Sequence, residues 1–380
     1  MKPQVNHLIS RREFLGSLGA AAACMWCRAE GLAAITPVGP LAAQAAHEAR
    51  FYQTMADTSV GCELCPRRCQ VPDGMRGYCG VRENRHGKYY TLVYGQPSVT
   101  NLDPIEKKPL FHVYPGSRAF SIATVGCNIH CKFCQNFDIS QAAPEELSAP
   151  YFSPEEIVDQ AVQRKAKTLA FTYNEPTIFY EYMHDCARAA KNRNLESIII
   201  SNGFINEAPQ KTLFPLVKAI KIDLKAFTQS FYGGICDGML QPVLDTLKRL
   251  SRSGVWYEIV NLMIPTLNDN RQDLQRMAAW IVKELGPDVP IHFTRFTPLY
   301  RLKNLPPTPS ETLLQARETA LQEGCHFVYC GNQPGIDGEN TICPGCKNIV
   351  IRRYGYRILE NHLAAGKCTF CHRVIPGVWA

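Results

Sequence analysis

Residues 124–136 read TVGCNIHCKFCQN, and this loop is the centre of the predicted fold. Cys127, Cys131 and Cys134 stand in CxxxCxxC spacing, directly after an apolar run typical of a buried β-strand. Three thiolates ligate only three corners of a [4Fe-4S] cluster, so the fourth iron would keep an open coordination position, unlike the iron of a four-cysteine electron carrier. A plain zinc knuckle is the alternative for such a cysteine group.

Outward from this loop, apolar β-rich runs alternate with amphipathic helical patterns, which is typical of βα units around a parallel sheet. Strands are predicted near 119–125, 168–173, 197–201, 219–224, 256–264 and 291–296, with a weaker seventh near 326–330. A helix is predicted over 154–167, with Ser153 as its N-cap and Pro154 at its first position. Six or seven units predict an α/β fold with a partial, open (β/α)6-type TIM barrel, although a doubly wound sheet would show the same alternation.

The chain divides into four predicted segments: a signal and linker at 1–45, a small N-terminal metal module at 55–110, the core at 115–335 and a tail at 338–380. The sequence SRREFL at 10–15, with a small-residue apolar run to about Trp26, resembles a twin-arginine export signal. A disordered tail that contains Arg-Arg by chance is the alternative. No other segment predicts a membrane span, so a membrane is expected to matter only through the export signal.

The composition is that of an ordinary globular chain with a net charge of +7. This charge fits an acidic partner, but no run of Lys or Arg is long enough to form a basic patch, so nucleic acid is not an expected partner. The 17 cysteines fall mostly in CxxC-type groups, which favours metal sites over a disulfide framework.

Two four-cysteine groups flank the predicted core. The N-terminal group can close a four-thiolate site for zinc or for an auxiliary iron-sulfur cluster, with zinc preferred; it comprises Cys62, Cys65, Cys69 and Cys79. The C-terminal group predicts a structural zinc ribbon, with unmetallated buried thiols as the alternative; it comprises Cys343, Cys346, Cys368 and Cys371. A closed four-cysteine site leaves no catalytic position, so the C-terminal site is expected to fold the tail.

Polar side chains follow three consecutive predicted strands. Tyr173-Asn174-Glu175-Pro176 follows the second strand, Ser201-Asn202-Gly203 the third, and Asp223-Leu224-Lys225 ends the fourth. The carboxyl ends of parallel barrel strands carry the active site, so these groups are expected to meet the cysteine loop there.

The CxxxCxxC loop, with an aromatic residue before its last cysteine, resembles the radical S-adenosylmethionine (SAM) superfamily. This resemblance implies that the open iron chelates the amino and carboxylate groups of SAM. An electron from the cluster would then cleave the sulfonium bond and give a 5′-deoxyadenosyl radical that abstracts hydrogen from a substrate. It implies an electron donor such as flavodoxin or ferredoxin.

The same resemblance gives the strand-end groups tasks in SAM binding. Glu175 and Asn174 would accept hydrogen bonds from the SAM amino group, and Lys225 would pair with its carboxylate. The other predicted contacts are the ribose with Ser201 and Asn202, the adenine with the backbone around Phe133, and a monovalent cation with Asp223, as in glycyl-radical activating enzymes. Ile200 stands where those activating enzymes carry an acidic residue, which puts the cation site in doubt.

Later strand ends carry further candidates for contact with substrate, but no catalytic residue can be named from the sequence. These candidates are Glu258, Asn261, His292 and Arg295. His292 has an equal alternative as a buried histidine of the core.

Several motifs together resemble one family within this superfamily, the radical SAM component of the AmmeMemoRadiSam system, a relative of pyruvate formate-lyase activating enzymes. They are CELCP at 62–66, DPIEKKPL at 103–110, the cysteine loop, TYNEP at 172–176, Ile264-Pro265 and IPGVW at 375–379. The resemblance covers roughly residues 60–380 and implies association with AMMECR-type and Memo-type proteins. It leaves the substrate open, and a macromolecule is one candidate.

A non-catalytic iron-sulfur or zinc protein is the alternative function, either an electron carrier or a zinc-ribbon binding module. An electron carrier should supply a fourth cysteine to its cluster and has no use for Glu175, Ser201 and Lys225. The localisation stays open, because the export signal argues for the periplasm whereas SAM is a cytoplasmic metabolite.

Overall fold

The computed structural model describes residues 47–147 and 149–380, so the signal and linker predicted over 1–45 lie outside the described residues. Six short strands come first: β1 His47–Glu48, β2 Tyr52–Thr54, β3 Val60–Cys62, β4 Gln70–Val71, β5 Arg82–Arg85 and β6 Lys88–Thr91. They form two antiparallel sheets, ordered β1-β6-β5 and β2-β3-β4. The N-terminal cysteines therefore lie in a segment of small strands and tight turns.

Eight strands form the main sheet: β7 Val99–Pro104, β8 Arg118–Ala123, β9 Thr168–Phe171, β10 Glu196–Ser201, β11 Ala219–Asp223, β12 Trp256–Met263, β13 Ile291–Arg295 and β14 Val328–Gly331. The seven strands from β8 to β14 are parallel and confirm all seven predicted strands. β7 was not among the predicted strands, and it pairs antiparallel with β8.

The described helices are α1 Phe137–Ser140, α2 Pro154–Gln163, α3 Tyr180–Asn192, α4 Glu207–Leu213, α5 Gln229–Phe231, α6 Leu240–Leu250, α7 Arg271–Leu285 and α8 Ser310–Gln322. α2 begins as predicted, with Ser153 and Glu156 in a capping box and Pro154 in its first turn. It ends at Gln163, four residues before the predicted end. None of the described helices is long and apolar enough to cross a membrane.

The strand order distinguishes the two predicted architectures. Each strand pairs with its neighbour in sequence, from β7 at one edge to β14 at the other. A doubly wound sheet reverses its strand order at a switch point, and no such reversal occurs here. Right-handed crossovers in a sequential parallel sheet place the helices on one side and leave an inner face. The sheet is an open, partial barrel, as predicted.

Small residues line the lower part of that inner face. Ala119, Ala170 and Ala219 pack with Ile198 in one buried cluster. The space that these small side chains leave is filled by Leu110 and other residues of 105–114, and Val113 also pairs with Val378 near the C-terminus. The segment 105–114 and the C-terminal residues around Val378 therefore close the bottom of the barrel.

A buried polar network joins this plug to the strands. Glu258 accepts hydrogen bonds from the backbone N–H groups of Phe111 and His112 and from His292 Nε2, at 2.7–3.0 Å. Arg353 donates to the carbonyl of Phe111 at 2.8 Å. Glu258 and His292 are fully buried in these contacts, so His292 is a core histidine, which was one of its two predicted roles.

Five strands complete the chain: β15 Thr341–Ile342, β16 Ile349–Tyr354, β17 Arg357–Asn361, β18 Leu363–Ala364 and β19 Lys367–Cys368. They form a three-stranded and a two-stranded antiparallel sheet. The C-terminal cysteines lie at the ends of these strands and in the turns beside them, so short strands and two CxxC turns build this tail.

Candidate active site

A cavity of about 400 Å³ lies at the carboxyl ends of the parallel strands. It is lined by nine of the residues predicted from the sequence: Cys127, Cys131, Phe133, Cys134, Asn174, Glu175, Asn202, Asp223 and Lys225. Ser201 does not line the cavity, and its hydroxyl donates to Glu175 Oε1 at 2.8 Å. The cysteine loop and the strand-end polar groups therefore share one cavity.

The conformation of the cysteine loop depends on Gly126. This residue has φ +90°, and a Cβ atom built on it would lie 2.7 Å from the carbonyl oxygen of Cys79. Only glycine combines that backbone conformation with so close an approach. Farther along the loop, His130 and Lys132 donate backbone hydrogen bonds to the turn that contains Cys236. These contacts hold the three thiols toward the cavity.

The three thiols have polar neighbours inside the protein. Cys134 Sγ lies 3.1 Å from the Ser140 hydroxyl, and Asn202 Nδ2 lies 4.0 Å from Cys127 Sγ. Burial raises the pKa of both Cys127 and Cys134, so these thiols need a positive metal centre to be held as thiolates. Cys236 is a buried thiol beside Cys131, and its hydrogen bond lowers the pKa of Cys131.

Glu175 connects the ends of two strands, β9 and β10, by accepting hydrogen bonds. Its carboxylate accepts from the backbone N–H and hydroxyl of Thr177, from the Ser201 hydroxyl and from the backbone N–H of Asn202. Burial raises its pKa, while these four donors favour the charged form. Glu175 lines the cavity, but most of its hydrogen-bonding capacity is used within the protein.

Asn174 offers an unused acceptor to the cavity. Its Nδ2 donates to the Gly126 carbonyl at 3.0 Å and to the Thr124 hydroxyl at 3.3 Å, which fixes the orientation of the amide. Its Oδ1 is buried without a hydrogen-bond partner in the described residues. A buried acceptor without a donor costs free energy, so this oxygen is suited to a ligand N–H group. An ammonium group such as that of SAM fits this requirement.

Positive charge predominates on the β11 side of the cavity. Lys221 and Lys225 both pair with Asp223, the latter at 3.4 Å between Nζ and Oδ2. Although burial opposes ionisation of Asp223, the two ammonium groups keep its pKa below its usual value. Two cations for one carboxylate leave an excess positive charge, which fits an anionic ligand group such as a carboxylate.

Sequence reasoning missed a second polar cluster beside the cavity, centred on Asp103. Its carboxylate accepts from Lys107 at 3.0 Å, from Lys108 at 2.6 Å and from the Tyr173 hydroxyl. Burial lowers the pKa of Lys108 to about 8. Both lysines line the cavity. The pairing of β7 with β8 brings this segment there, and the sequence carries no local signal of that pairing.

Lys221 was also missed, although the sequence carries a signal for it. Ala219, Lys221 and Asp223 alternate along a strand whose other residues are Ile220 and Ile222. Alternate residues of a strand share a face, so the lysine had to lie on the same side as Asp223.

The C-terminal cysteines form a compact group of potential metal ligands. The Sγ atoms of Cys343 and Cys371 are 3.6 Å apart, and those of Cys346 and Cys368 are 3.7 Å apart. Within residues 47–147 and 149–380, this is the only group of three or more Cys, His, Asp or Glu side chains whose ligand atoms all lie within 4.8 Å of one another. The group can bind a metal ion.

Comparisons with known proteins agree with the cavity chemistry. Residues 121–281 match the radical SAM superfamily. An uncharacterized protein of Methanocaldococcus jannaschii is 42% identical over 326 residues, which cover 85% of this chain and 97% of that protein. The pyruvate formate-lyase-activating enzyme of Clostridium pasteurianum is 22% identical over 160 residues, 40% of this chain and 65% of the enzyme.

Solved structures resemble the chain only distantly. A domain of the pyruvate-formate lyase-activating enzyme from Bacteroides vulgatus covers 44% of this chain and 100% of its own, with a TM-score of 0.40 and 14% identity. The matches in sequence show that the chain belongs to the same family as the Methanocaldococcus protein, and that it carries a radical SAM domain related to that of pyruvate formate-lyase activating enzyme.

Proposed function

We propose that this protein cleaves SAM at a [4Fe-4S] cluster held by Cys127, Cys131 and Cys134, and that the resulting 5′-deoxyadenosyl radical abstracts hydrogen from a macromolecular substrate. One observation supports the proposal most directly: the three thiols line the same cavity as Asn174, whose Oδ1 has no hydrogen-bond partner in the described residues. Lys221 and Lys225 line it too and share the single carboxylate of Asp223, which leaves an excess of positive charge. When bound and reduced, the cluster supplies the electron that breaks the sulfonium bond.

The protein's own residues bind and orient SAM in this proposal. Asn174 Oδ1 accepts a hydrogen bond from the SAM ammonium group, and Lys225 pairs with the SAM carboxylate. Glu175 holds the ends of β9 and β10 together and so positions Asn174 and Asn202. Phe133 provides an apolar wall, with Lys225 Nζ 5.5 Å from its ring centroid.

The opening of the cavity favours a large substrate. Tyr356, in the turn between β16 and β17, lines the cavity although the residue is 47% exposed. Asn332, which follows β14, contributes to the same wall. The cavity thus reaches the surface beside the C-terminal strands, where a loop or chain end of another protein has room to enter.

The motifs of the AmmeMemoRadiSam family lead us to propose AMMECR-type and Memo-type proteins as partners, with a flavodoxin or ferredoxin as the electron donor. A partner that is also the substrate must donate the abstracted hydrogen. The transferred atom can be followed directly, because hydrogen abstraction converts the radical to 5′-deoxyadenosine.

The test uses uniformly deuterated AMMECR-type and Memo-type proteins. Each is incubated without oxygen with the iron-loaded enzyme, SAM and dithionite, and 5′-deoxyadenosine is analysed by mass spectrometry. We expect deuterated 5′-deoxyadenosine with at least one partner and none with the Cys131→Ala variant. If 5′-deoxyadenosine forms but carries no deuterium from either protein, neither is the substrate, and the proposed partnership is wrong.

A further inference from the structure

The four N-terminal cysteines lie together on β3 and in the turns that follow it. The backbone N–H of Cys62 donates to the Cys69 carbonyl at 2.9 Å, and a Cβ atom on Gly77 would lie 3.9 Å from Cys69 Sγ. Cys62 is buried, and Cys65, Cys69 and Cys79 pack against the same buried cluster. The four cysteines therefore lie together in the N-terminal segment.

The spacing of these sulfurs differs from that of the C-terminal group. In the part of the chain that the structure describes, no three of them come within 4.8 Å of one another, whereas all four C-terminal sulfurs do. A tetrahedral zinc ion with Zn–S bonds of about 2.3 Å brings its thiolates to about 3.8 Å from one another. The C-terminal separations of 3.6 and 3.7 Å match that geometry.

The radical SAM cysteines provide an internal comparison for the wider spacing. Cys127, Cys131 and Cys134 line one cavity, yet they too fail to come within 4.8 Å of one another among the described residues. A cubane places each thiolate on a different iron, so its cysteines stand farther apart than those around a single ion. The N-terminal group shares the wide spacing of the cubane loop.

The surroundings of the N-terminal group also suit a cluster. Arg82, three residues after Cys79, is buried with 1% of its side chain exposed and pairs with Glu181. Its Nε–H has no partner in the described residues. Hydrogen bonds and nearby charge tune iron-sulfur clusters, and the inorganic sulfides of a cluster are acceptors that a zinc site lacks.

We propose that Cys62, Cys65, Cys69 and Cys79 hold a [4Fe-4S] cluster, which gives the protein a second one-electron centre. The sequence fits either zinc or an auxiliary iron-sulfur cluster at these four thiolates, with zinc preferred, and this assignment takes the cluster. It goes beyond the proposed function, because a radical SAM enzyme needs only the open cluster of Cys127, Cys131 and Cys134 to cleave SAM.

The two cluster loops touch each other. The carbonyl oxygen of Cys79 lies against Gly126, the residue before Cys127. Arg67 Nε donates to the Asn128 carbonyl at 2.7 Å, and the Tyr78 ring stacks on His130 with centroids 4.3 Å apart. The N-terminal cluster would therefore lie beside the radical SAM cluster, close enough for their unpaired electrons to interact.

The test separates the two sites by mutation. The triple variant Cys127→Ala/Cys131→Ala/Cys134→Ala is reconstituted without oxygen, and its iron, acid-labile sulfide and zinc are measured. We expect about four iron, four sulfide and one zinc per chain. Adding Cys69→Ala should remove the iron and sulfide and leave the zinc, whereas adding Cys186→Ala, at a buried cysteine outside the three groups, should remove neither.

Two zinc ions, one iron without sulfide, or no metal beyond the C-terminal zinc in the triple variant would each overturn the assignment. The wild-type protein gives a second measurement that does not depend on the variant folding: about eight iron and one zinc per chain support two clusters, and about four iron and two zinc contradict them. In the reduced wild-type protein, electron paramagnetic resonance should show signals broadened by coupling between the clusters. This broadening should be absent from the triple variant.

Discussion

Gly126 is the residue at which the cysteine loop meets the N-terminal module. Its φ of +90° lies where side chains are strained, and its missing side chain lets Cys79 and Val81 approach. The positive φ and the missing side chain of Gly126 both affect the position of Cys127, because Cys127 is the next residue. The conformation of one residue therefore affects both cysteine sites.

Gly126→Ala tests this dependence. A Cβ atom would lie 2.6 Å from Val81 Cγ1 and 2.7 Å from the Cys79 carbonyl oxygen, so the loop must move. We expect a loss of about 3 kcal/mol of stability and less than half of the wild-type iron content after reconstitution. The matched control is Gly254→Ala, which has φ +77° but nothing within 4 Å of the new Cβ. Equal iron content in the two variants would contradict the role given to the close approach.

Lys225 is the second residue whose role can be measured. Replacing Lys225 with Met removes an ammonium group that faces the cavity, and a charge-assisted hydrogen bond contributes about 1.5–3 kcal/mol. We therefore expect Lys225→Met to raise the Kd for SAM roughly tenfold or more, with unchanged iron content. Lys218→Met, at a lysine 40% exposed and 3.8 Å from Glu196, is the control. Equilibrium dialysis of SAM against the iron-loaded proteins measures both, and an unchanged Kd for Lys225→Met would remove Lys225 from the site.

For single residues, the sequence predicted which residues belong to the site better than it predicted where their side chains point. Asn174 and Lys225 were found because they follow buried strands, and they do line the cavity. Ser201 has the same signal, but it alternates to the other face of β10, where it bonds to Glu175. The proximity of Cys236 to Cys131 had no local signal, because the two are far apart in sequence and meet only through a tertiary contact.

At the scale of elements, the segment at 105–114 closes the barrel through a buried histidine. His112 contacts Tyr329 through Nε2 and the Pro376 carbonyl through Nδ1, each at 2.6 Å. Burial lowers its pKa from 6.5 to about 4. The folded protein thus keeps this imidazole neutral, while the unfolded chain takes up a proton below pH 6.5.

This difference predicts a pH-dependent stability. Because the pKa of His112 is lower in the folded state, its neutral imidazole contributes fully to the free energy of unfolding above pH 6.5. This contribution is lost as the pH falls toward 4, by about 3 kcal/mol over the whole range. Thermal unfolding of the wild-type protein and of His112→Gln is compared at pH 7 and pH 5. The wild type should lose more of its Tm on acidification than His112→Gln, whereas His86→Gln, with a side chain 92% exposed, should behave as the wild type. Equal losses in the wild type and His112→Gln would contradict the prediction.

The C-terminal strands β15 to β19 are a second element, and their dependence on a bound metal can be measured. We propose that the group around Cys346 binds zinc, because its sulfur separations fit tetrahedral coordination. Cys346→Ala should lose this zinc and lower the Tm by roughly 5 °C or more. Cys325→Ala, at a buried cysteine outside the metal groups, should keep the zinc. Full zinc occupancy in Cys346→Ala would contradict the proposed site.

At the scale of the whole molecule, the parallel strands could be predicted because each is a short apolar run between helical patterns. β7 could not, since VTNLDP contains only two aliphatic side chains and ends in proline, and its place depends on pairing with β8. The packing of 105–114 and the C-terminus into the barrel could likewise not be predicted from the sequence, because it depends on the small interior residues Ala119, Ala170 and Ala219. Local patterns predict elements, whereas closure of the barrel is a property of the assembled chain.

The activity proposed for the whole molecule is the reductive cleavage of SAM in the cavity. The direct measurement is the formation of 5′-deoxyadenosine and methionine when the iron-loaded protein is mixed with SAM and dithionite without oxygen. We predict both products with the wild type, and neither above background with Cys131→Ala. If the wild-type protein, with its iron and sulfide content verified, forms no more 5′-deoxyadenosine than Cys131→Ala does, the protein is not a radical SAM enzyme of the proposed kind.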